Sequence, residues 1–389
     1  MTFRNRIPLG AALVASLLAS TAAGATRAAE TACSPSAAII ASPRANSLEV
    51  QAKAINDHGD VVGFADGNDG KGPIHAILWK GGKVEGAVDL GVLPGYVSSE
   101  AYGINDRRVI FGLLYDRKER TVPFRWENGR MTVLKGPDGR ILYSDNPGAG
   151  GRNAINSRGE MTWTMIVDGD RRAVRWTPDG KATLLPALPG HAWTDAFGIN
   201  DDGIVSGWSR KLPNDDGAEN PVLWTRSDEV IPLKTVPGQA DGIAEATNRA
   251  GLTVGYLGNQ SETEPEMNQF AVWRTRTAEP RLFGPLRPNR IAEFVDVNDR
   301  GQAAGMTGTM NPRNGFILAK AVVWQAGWPR VRPLAVPAAS RRANPFLLPQ
   351  LNDVNNEGAI VGNVFGLASK DYASLRRIDA VLWTCQFDR

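Results

Sequence analysis

The stretch "GINDDGIVSGW" (198–208) decides the fold, because its pattern returns along the chain. It recurs as "AINDHGDVVGF" (54–64), "GINDRRVIFGL" (103–113) and "VNDRGQAAGM" (297–306). One Asn and two Asp in a row would suit a metal or carbohydrate site as well as a turn. A site does not usually come in so many copies, whereas a turn does.

Anchoring on the Asn gives Asn56, Asn105, Asn156, Asn200, Asn248, Asn298 and Asn355, spaced 44 to 57 residues apart. A period near 50 points to propellers, solenoids or arrays. A second anchor closes a short apolar run in each unit: Trp79, Trp126, Trp176, Trp224, Trp273, Trp324 and Trp383. Seven of the eleven tryptophans thus serve one repeat position.

Each unit reads as four strands. The residue before the Asn is Ile55, Ile104, Ile155, Ile199, Thr247, Val297 or Val354, β-branched throughout and suited to a pleated strand. A second strand follows the turn, and a third ends at the Trp, as in "HAILW" (75–79) and "NPVLW" (220–224). The fourth ends in "LGVLPG" (90–95) or "LPALPG" (185–190). Two residues before the Asn stand Ala54, Gly103, Ala154, Gly198 and Ala246, small enough for the crowded centre of a ring. The mature chain shows no amphipathic helical stretch, so the pattern predicts an all-β fold: a seven-bladed β-propeller of four-stranded blades.

The seventh unit stops after "AVLWTCQFDR" (380–389), one strand short. The segment "SAAIIASP" (36–43) aligns with the fourth strands of the other units and stands ahead of Asn56 much as "VDLGVLP" (88–94) stands ahead of Asn105. The N-terminal strand is therefore expected to complete the last blade. Cys33 opens that strand and Cys385 follows Trp383 by two residues, so a Cys33–Cys385 disulfide is expected in place of the missing hairpin. Closing so long a loop contributes about 5 kcal/mol, less any strain.

Residues 1–25 read as a secretory signal peptide, with Arg4 and Arg6, an apolar Ala-rich run and the cleavage site Ala23-Gly24-Ala25. Residues 26–389 then form a single propeller domain in the periplasm or outside the cell, where a disulfide is chemically sensible. Cys33 follows Glu30-Thr31-Ala32, which is no lipid-attachment motif. Beyond the signal, no apolar run is long enough to span a bilayer. The signal carries two arginines and no acid, so its removal lowers the net charge of +3 by two. No basic run marks a nucleic-acid surface.

The order Ala-x-x-Ile-Asn-Asp-x-Gly-x-Val-Val-Gly, a variable loop, His-Ala-Phe-Leu-Trp, a turn and Asp-Leu-Gly-x-Leu resembles the bacterial HAF repeats of predicted extracellular proteins. "AINDHGDVVG", "HAILW" and "DLGVLPG" of the first unit match best, and the resemblance spans residues 33–389. Arg108 replaces the turn Gly in unit two, Trp163 replaces the second Gly in unit three, and His75 has no counterpart in the later units. The resemblance implies a propeller-like ring and transfers no catalytic residue.

The Asn-Asp-x-Gly turns read as scaffold. Asn and Asp side chains accept backbone hydrogen bonds two residues on, and Gly59, Gly159, Gly203, Gly251, Gly301 and Gly358 suit the left-handed position that ends such a turn. Function is expected on the opposite face, whose loops vary between units. The crossover "GHAWTDA" (190–196) offers His191, Trp193 and Asp195, and neighbouring crossovers offer Tyr96, Glu100, Tyr143 and Asp145. These are the candidate ligand-binding residues of a non-catalytic module for a glycan or protein partner, expected to be a monomer. The alternative is a carbohydrate- or ester-acting lyase or hydrolase, with His191 as acid or base beside Asp195 or Glu100. His58, His75 and His191 are the only histidines and lie far apart, so no metal site is expected, and no cofactor motif is present.

Overall fold

The computed structural model describes residues 36–67, 69–143, 154–211, 218–258, 268–286, 291–310, 317–343, 346–367 and 375–384. Seven antiparallel sheets form a β-propeller ring, with the strands of blades one to six running outward in chain order. The innermost strands are Val50–Ile55, Ser98–Ile104, Trp193–Ile199, Asp241–Thr247, Ile291–Val297 and Phe346–Val354. In blade three that position is marked by the bridge between Ile155 and Met161, followed by Met161–Val167, Asp170–Trp176 and Ala182–Leu184.

The last blade closes as the sequence predicts. Phe346–Val354, Ala359–Leu367 and Leu375–Thr384 are completed on the outside by Ser36–Ile40. Ser36 stands opposite Thr384 and Ile40 opposite Ala380. Cys33 and Cys385 lie outside the described residues. Among the described residues, the α-helix Ala338–Ala343, in the crossover between blades six and seven, departs from the all-strand expectation.

The repeated Asn is the hub of the ring. Each Oδ1 accepts the N–H four residues on, which closes the hairpin turn locally. Each Nδ2 donates to the carbonyl of the Asn in the next blade, from Asn56 to Asn105 and onward until Asn355 returns to Asn56, at 2.7–3.2 Å. The result is an unbroken circle of seven hydrogen bonds among buried amides. A second, partial circle lies one residue on: the N–H of Asp57, Ser157, Arg249, Asp299 and Asn356 each reaches the Oδ1 of its counterpart in the next blade. The two seams without this bond are those where the next blade offers Ser157 or Arg249, which lack a carboxyl or amide at the right distance.

Packing between blades uses the repeated Trp. Trp79, Trp176, Trp224, Trp273 and Trp383 are fully buried. Each donates its indole N–H to a carbonyl of the preceding blade: Ala41, Lys135, Pro186, Lys234 and Ala335 respectively. Burying the ring while satisfying its one donor is what makes Trp suit this position. Trp324 departs, donating to Trp328 of its own blade.

The motif's small residues also have a geometric cause. Six innermost strands carry a β-bulge between the residues four and two before the Asn, as at Ala52/Ala54 and Ala196/Gly198. The bulge presses a carbonyl onto the second strand, and a Cβ at Gly207 would lie 1.9 Å from the Asp195 oxygen. Arg108, where a turn Gly is expected, takes a left-handed φ of 59°. Its guanidinium pairs with buried Asp60 of blade one at 2.8 Å, which offsets the backbone strain. Burial alone would raise the Asp60 pKa, yet Arg108, the Gly81 N–H and the Asn56 amide hold it below the usual carboxylate value.

Candidate functional site

Opposite the Asn circle, a groove of about 430 Å³ opens between blades three and six. A volume of that order belongs to small-ligand sites. Trp193, Asp195 and Phe197 alternate along the innermost strand of blade four, Trp193–Ile199. The two-residue period of a strand turns all three to one side, and all three line the groove. Trp193 and Asp195 thus sit on a strand rather than in the crossover loop that the sequence reading placed them in.

The other walls come from four blades. Arg171 belongs to blade three, Trp208, Arg210 and Glu219 to blade four, Ile243, Glu245 and Tyr256 to blade five, and Glu293 to blade six. Asp195 is 1% exposed. Its carboxylate accepts the Thr164 hydroxyl and the Arg171 guanidinium. Burial pushes its pKa up, and Arg171 and Thr164 hold the rise to about 6. Glu219 is pushed up to about 7 by burial and by the Asp241 charge, against the pull of Arg210. Burial raises the Tyr256 hydroxyl far above its ordinary value, and Glu219, Glu293, Glu245 and Asp241 add to the rise. Trp193 is oriented by its indole N–H, which donates to Asp170 at 3.2 Å.

His191 does not line this groove. Its Nδ1 meets the Ser209 hydroxyl at 3.1 Å, and that same buried oxygen accepts the Leu188 N–H. Asp195, spent on Thr164 and Arg171, does not contact it. Glu100 lies on the strand Ser98–Ile104 and accepts the Tyr102 hydroxyl. Tyr96 and Tyr143 stand together at another place, beside Arg120, which lies 4.2 Å over the Tyr143 ring and pairs with Asp116 at 2.7 Å. Asp145 lies outside the described residues. Of the described sequence candidates, only Trp193 and Asp195 line the groove.

The groove residues that sequence reasoning missed did carry a signal. Three and five residues before the repeated Asn, blades four to six carry Asp195, Phe197, Ile243, Glu245, Glu293 and, as the one that does not line the groove, Val295, while the residue four before it is Ala196, Ala244 or Phe294. Aligning these innermost positions separates a varying channel side from a packed side. Arg171, Trp208 and Tyr256 come from outer strands and carry no such mark.

On the Asn face, a smaller central funnel of about 120 Å³ is lined by the turn residues of all seven blades. Many of its polar groups are used in the two circles described above. Among the described residues, no group of three or more His, Cys, Asp or Glu is arranged to hold a metal ion. No helix among them is long and apolar enough to cross a membrane.

No family model matches the chain, and no curated protein matches it in sequence. Solved structures match in fold. The β-propeller domain of the Trilobed protease from Pyrococcus furiosus is 9% identical with a TM-score of 0.50, over 85% of this chain and 93% of that one. An oligogalacturonate lyase from Vibrio parahaemolyticus is 12% identical with a TM-score of 0.54, over 90% and 93%. An oligogalacturonate lyase in complex with manganese gives 12% and 0.53 over the same shares. At such identities the likeness is one of fold alone.

Proposed function

We propose that the protein is an exported binding module of the HAF-repeat kind, acting in the periplasm or outside the cell as a monomer. Residues 1–25 serve as the export signal, and Cys33 and Cys385 are joined once the chain reaches an oxidising compartment. The ligand, a glycan or a protein, seats in the groove between blades three and six. The observation that carries this reading is the lining itself: partly exposed aromatic rings interleaved with both signs of charge, on the face where the blades differ. His191 held against Ser209 supports binding over chemistry, since Asp195 is taken by Arg171 instead.

A second reading, a lyase or hydrolase acting on carbohydrate or an ester, is favoured by the two groove carboxyls at about 6 and about 7, because such perturbed values recur at catalytic sites. In that case Glu219, rather than His191, would transfer the proton. A glycan and peptide array probed with the wild type and with Trp193→Ala tests the main reading. Loss of the signal with the variant supports the groove, and an unchanged signal removes the groove from the account. Release of product from the bound ligand would establish the second reading.

A further inference from the structure

The charges of the groove narrow the ligand. Its walls present Asp195, paired with Arg171, and Glu219, Glu245 and Glu293 together with Arg210. An anionic ligand such as a uronate would meet three glutamates, and an ammonium ligand would meet the Arg210 guanidinium, Arg171 being paired with Asp195. Neither ion fits a lining of mixed sign without leaving some wall charge opposed. An uncharged ligand rich in hydroxyls has no such conflict, because each hydroxyl both donates and accepts. Neighbouring hydroxyls on a ring also match the paired oxygens of a carboxylate and the paired N–H groups of a guanidinium.

The aromatic groups supply the other half of the fit. Trp193, Phe197 and Tyr256 line the groove and remain half-buried. Trp193 is already oriented through Asp170, so binding orders little that is not ordered beforehand. The corresponding region of blades one and two differs. There the Lys53 ammonium lies 5.3 Å from the Phe64 ring centre and 5.7 Å from that of Tyr102, and Tyr102 donates to Glu100. The chain's own cation covers those rings, which leaves the stacking surface of the channel on the blade four and five side.

We infer that the groove takes an uncharged saccharide, a sugar ring lying against the aromatic wall with its hydroxyls shared between the glutamates and the arginines. This inference rests on the groove being the binding site. A protonated Glu219, whose pKa lies near 7, adds a donor for a sugar oxygen and fits a neutral ligand better than a cation.

The test is calorimetric titration of the exported full-length protein at neutral pH with four neutral tetrasaccharides, built of glucose, xylose, mannose or galactose. A galacturonate tetramer, a glucosamine tetramer and an uncharged tetrapeptide complete the set. At least one neutral tetrasaccharide is expected to bind, with the charged tetramers weaker by about tenfold or more. Trp193→Ala should weaken it roughly tenfold, and Trp193→Phe, which keeps a ring, should recover most of the loss. The Phe variant also separates a lost contact from a lost fold. Silence of all four neutral sugars overturns the saccharide assignment. If a charged tetramer or the peptide binds instead and Trp193→Ala abolishes it, the groove stands and its ligand class falls. If nothing binds in a Trp193-dependent way, the groove itself falls.

Discussion

Asp296 and Asp353 offer the sharpest test of how the ring is held. They stand two residues before the repeated Asn, where five other blades carry Ala or Gly, and both are buried. Asp296 accepts the Val354 N–H of blade seven at 2.9 Å, and Asp353 accepts the Ile55 N–H of blade one at 2.8 Å. The pair therefore spans the seams on both sides of the last blade, including the seam that closes the ring. Burial first, and then the Asp296 charge and hydrogen bond, raises the Asp353 pKa well above its ordinary value. Asp353 therefore keeps its proton to higher pH than an exposed carboxyl does. A group whose folded pKa exceeds its unfolded one stabilises fully below the unfolded value and loses that contribution as pH rises toward the folded value. Above the unfolded carboxylate value of about 4, stability should therefore fall as pH rises toward the raised Asp353 value. Asp353→Asn keeps an acceptor for Ile55 and a donor for Asp296 but has no proton to lose. Urea unfolding at about pH 5 and about pH 6 should therefore give a larger wild-type loss than that of the variant. Asp195 and Glu219 titrate alike in both proteins and cancel. Equal losses would refute the raised Asp353 pKa.

Three further outcomes are expected. Asn200→Ala removes one bond of the circle, to Asn248, and the acceptor for the Asp202 and Ile204 N–H groups, so chemical denaturation should show a loss of about 2–4 kcal/mol. A loss under about 0.5 kcal/mol would remove the circle as a stabilising element. Trp224→Phe leaves the Pro186 carbonyl without its donor and should lower stability by about 1–3 kcal/mol in the same assay. Intact-mass measurement of the exported protein should show a gain of about two mass units on reduction, as one disulfide opens to two thiols; an unchanged mass would mean that Cys33 and Cys385 are not joined.

The ring was legible in the sequence because its two anchors recur. An Asn that caps a turn and a Trp that closes a strand each repeat with the blade, and counting them gives seven. The closing strand was legible because the seventh unit lacks what residues 36–43 supply. The Asn circle was not, since spacing reveals the period but not that each Nδ2 reaches the Asn carbonyl of the next blade, 44 to 57 residues on or, from Asn355, back to Asn56. The groove was half legible. Trp193 and Asp195 stand out as an aromatic and an acid beside each other in a variable segment. His191 lies in that segment too, but whether a side chain two residues before a strand faces the channel depends on the turn, and Ser209 decides it. Arg171, Glu219, Tyr256 and Glu293 come from four different blades and meet only once the ring is closed.

The central claim is that the two faces divide the work, with the Asn circle holding the ring and the groove holding the ligand. Binding of the best array ligand, measured by calorimetry for Trp193→Ala and for Asp106→Ala, tests it directly. Asp106 sits on the Asn face and accepts the Asp57 N–H. The account predicts affinity lost in the Trp193 variant and retained in the Asp106 variant, with both still folded. Loss in the Asp106 variant and retention in the Trp193 variant would place the site on the turn face and contradict the account.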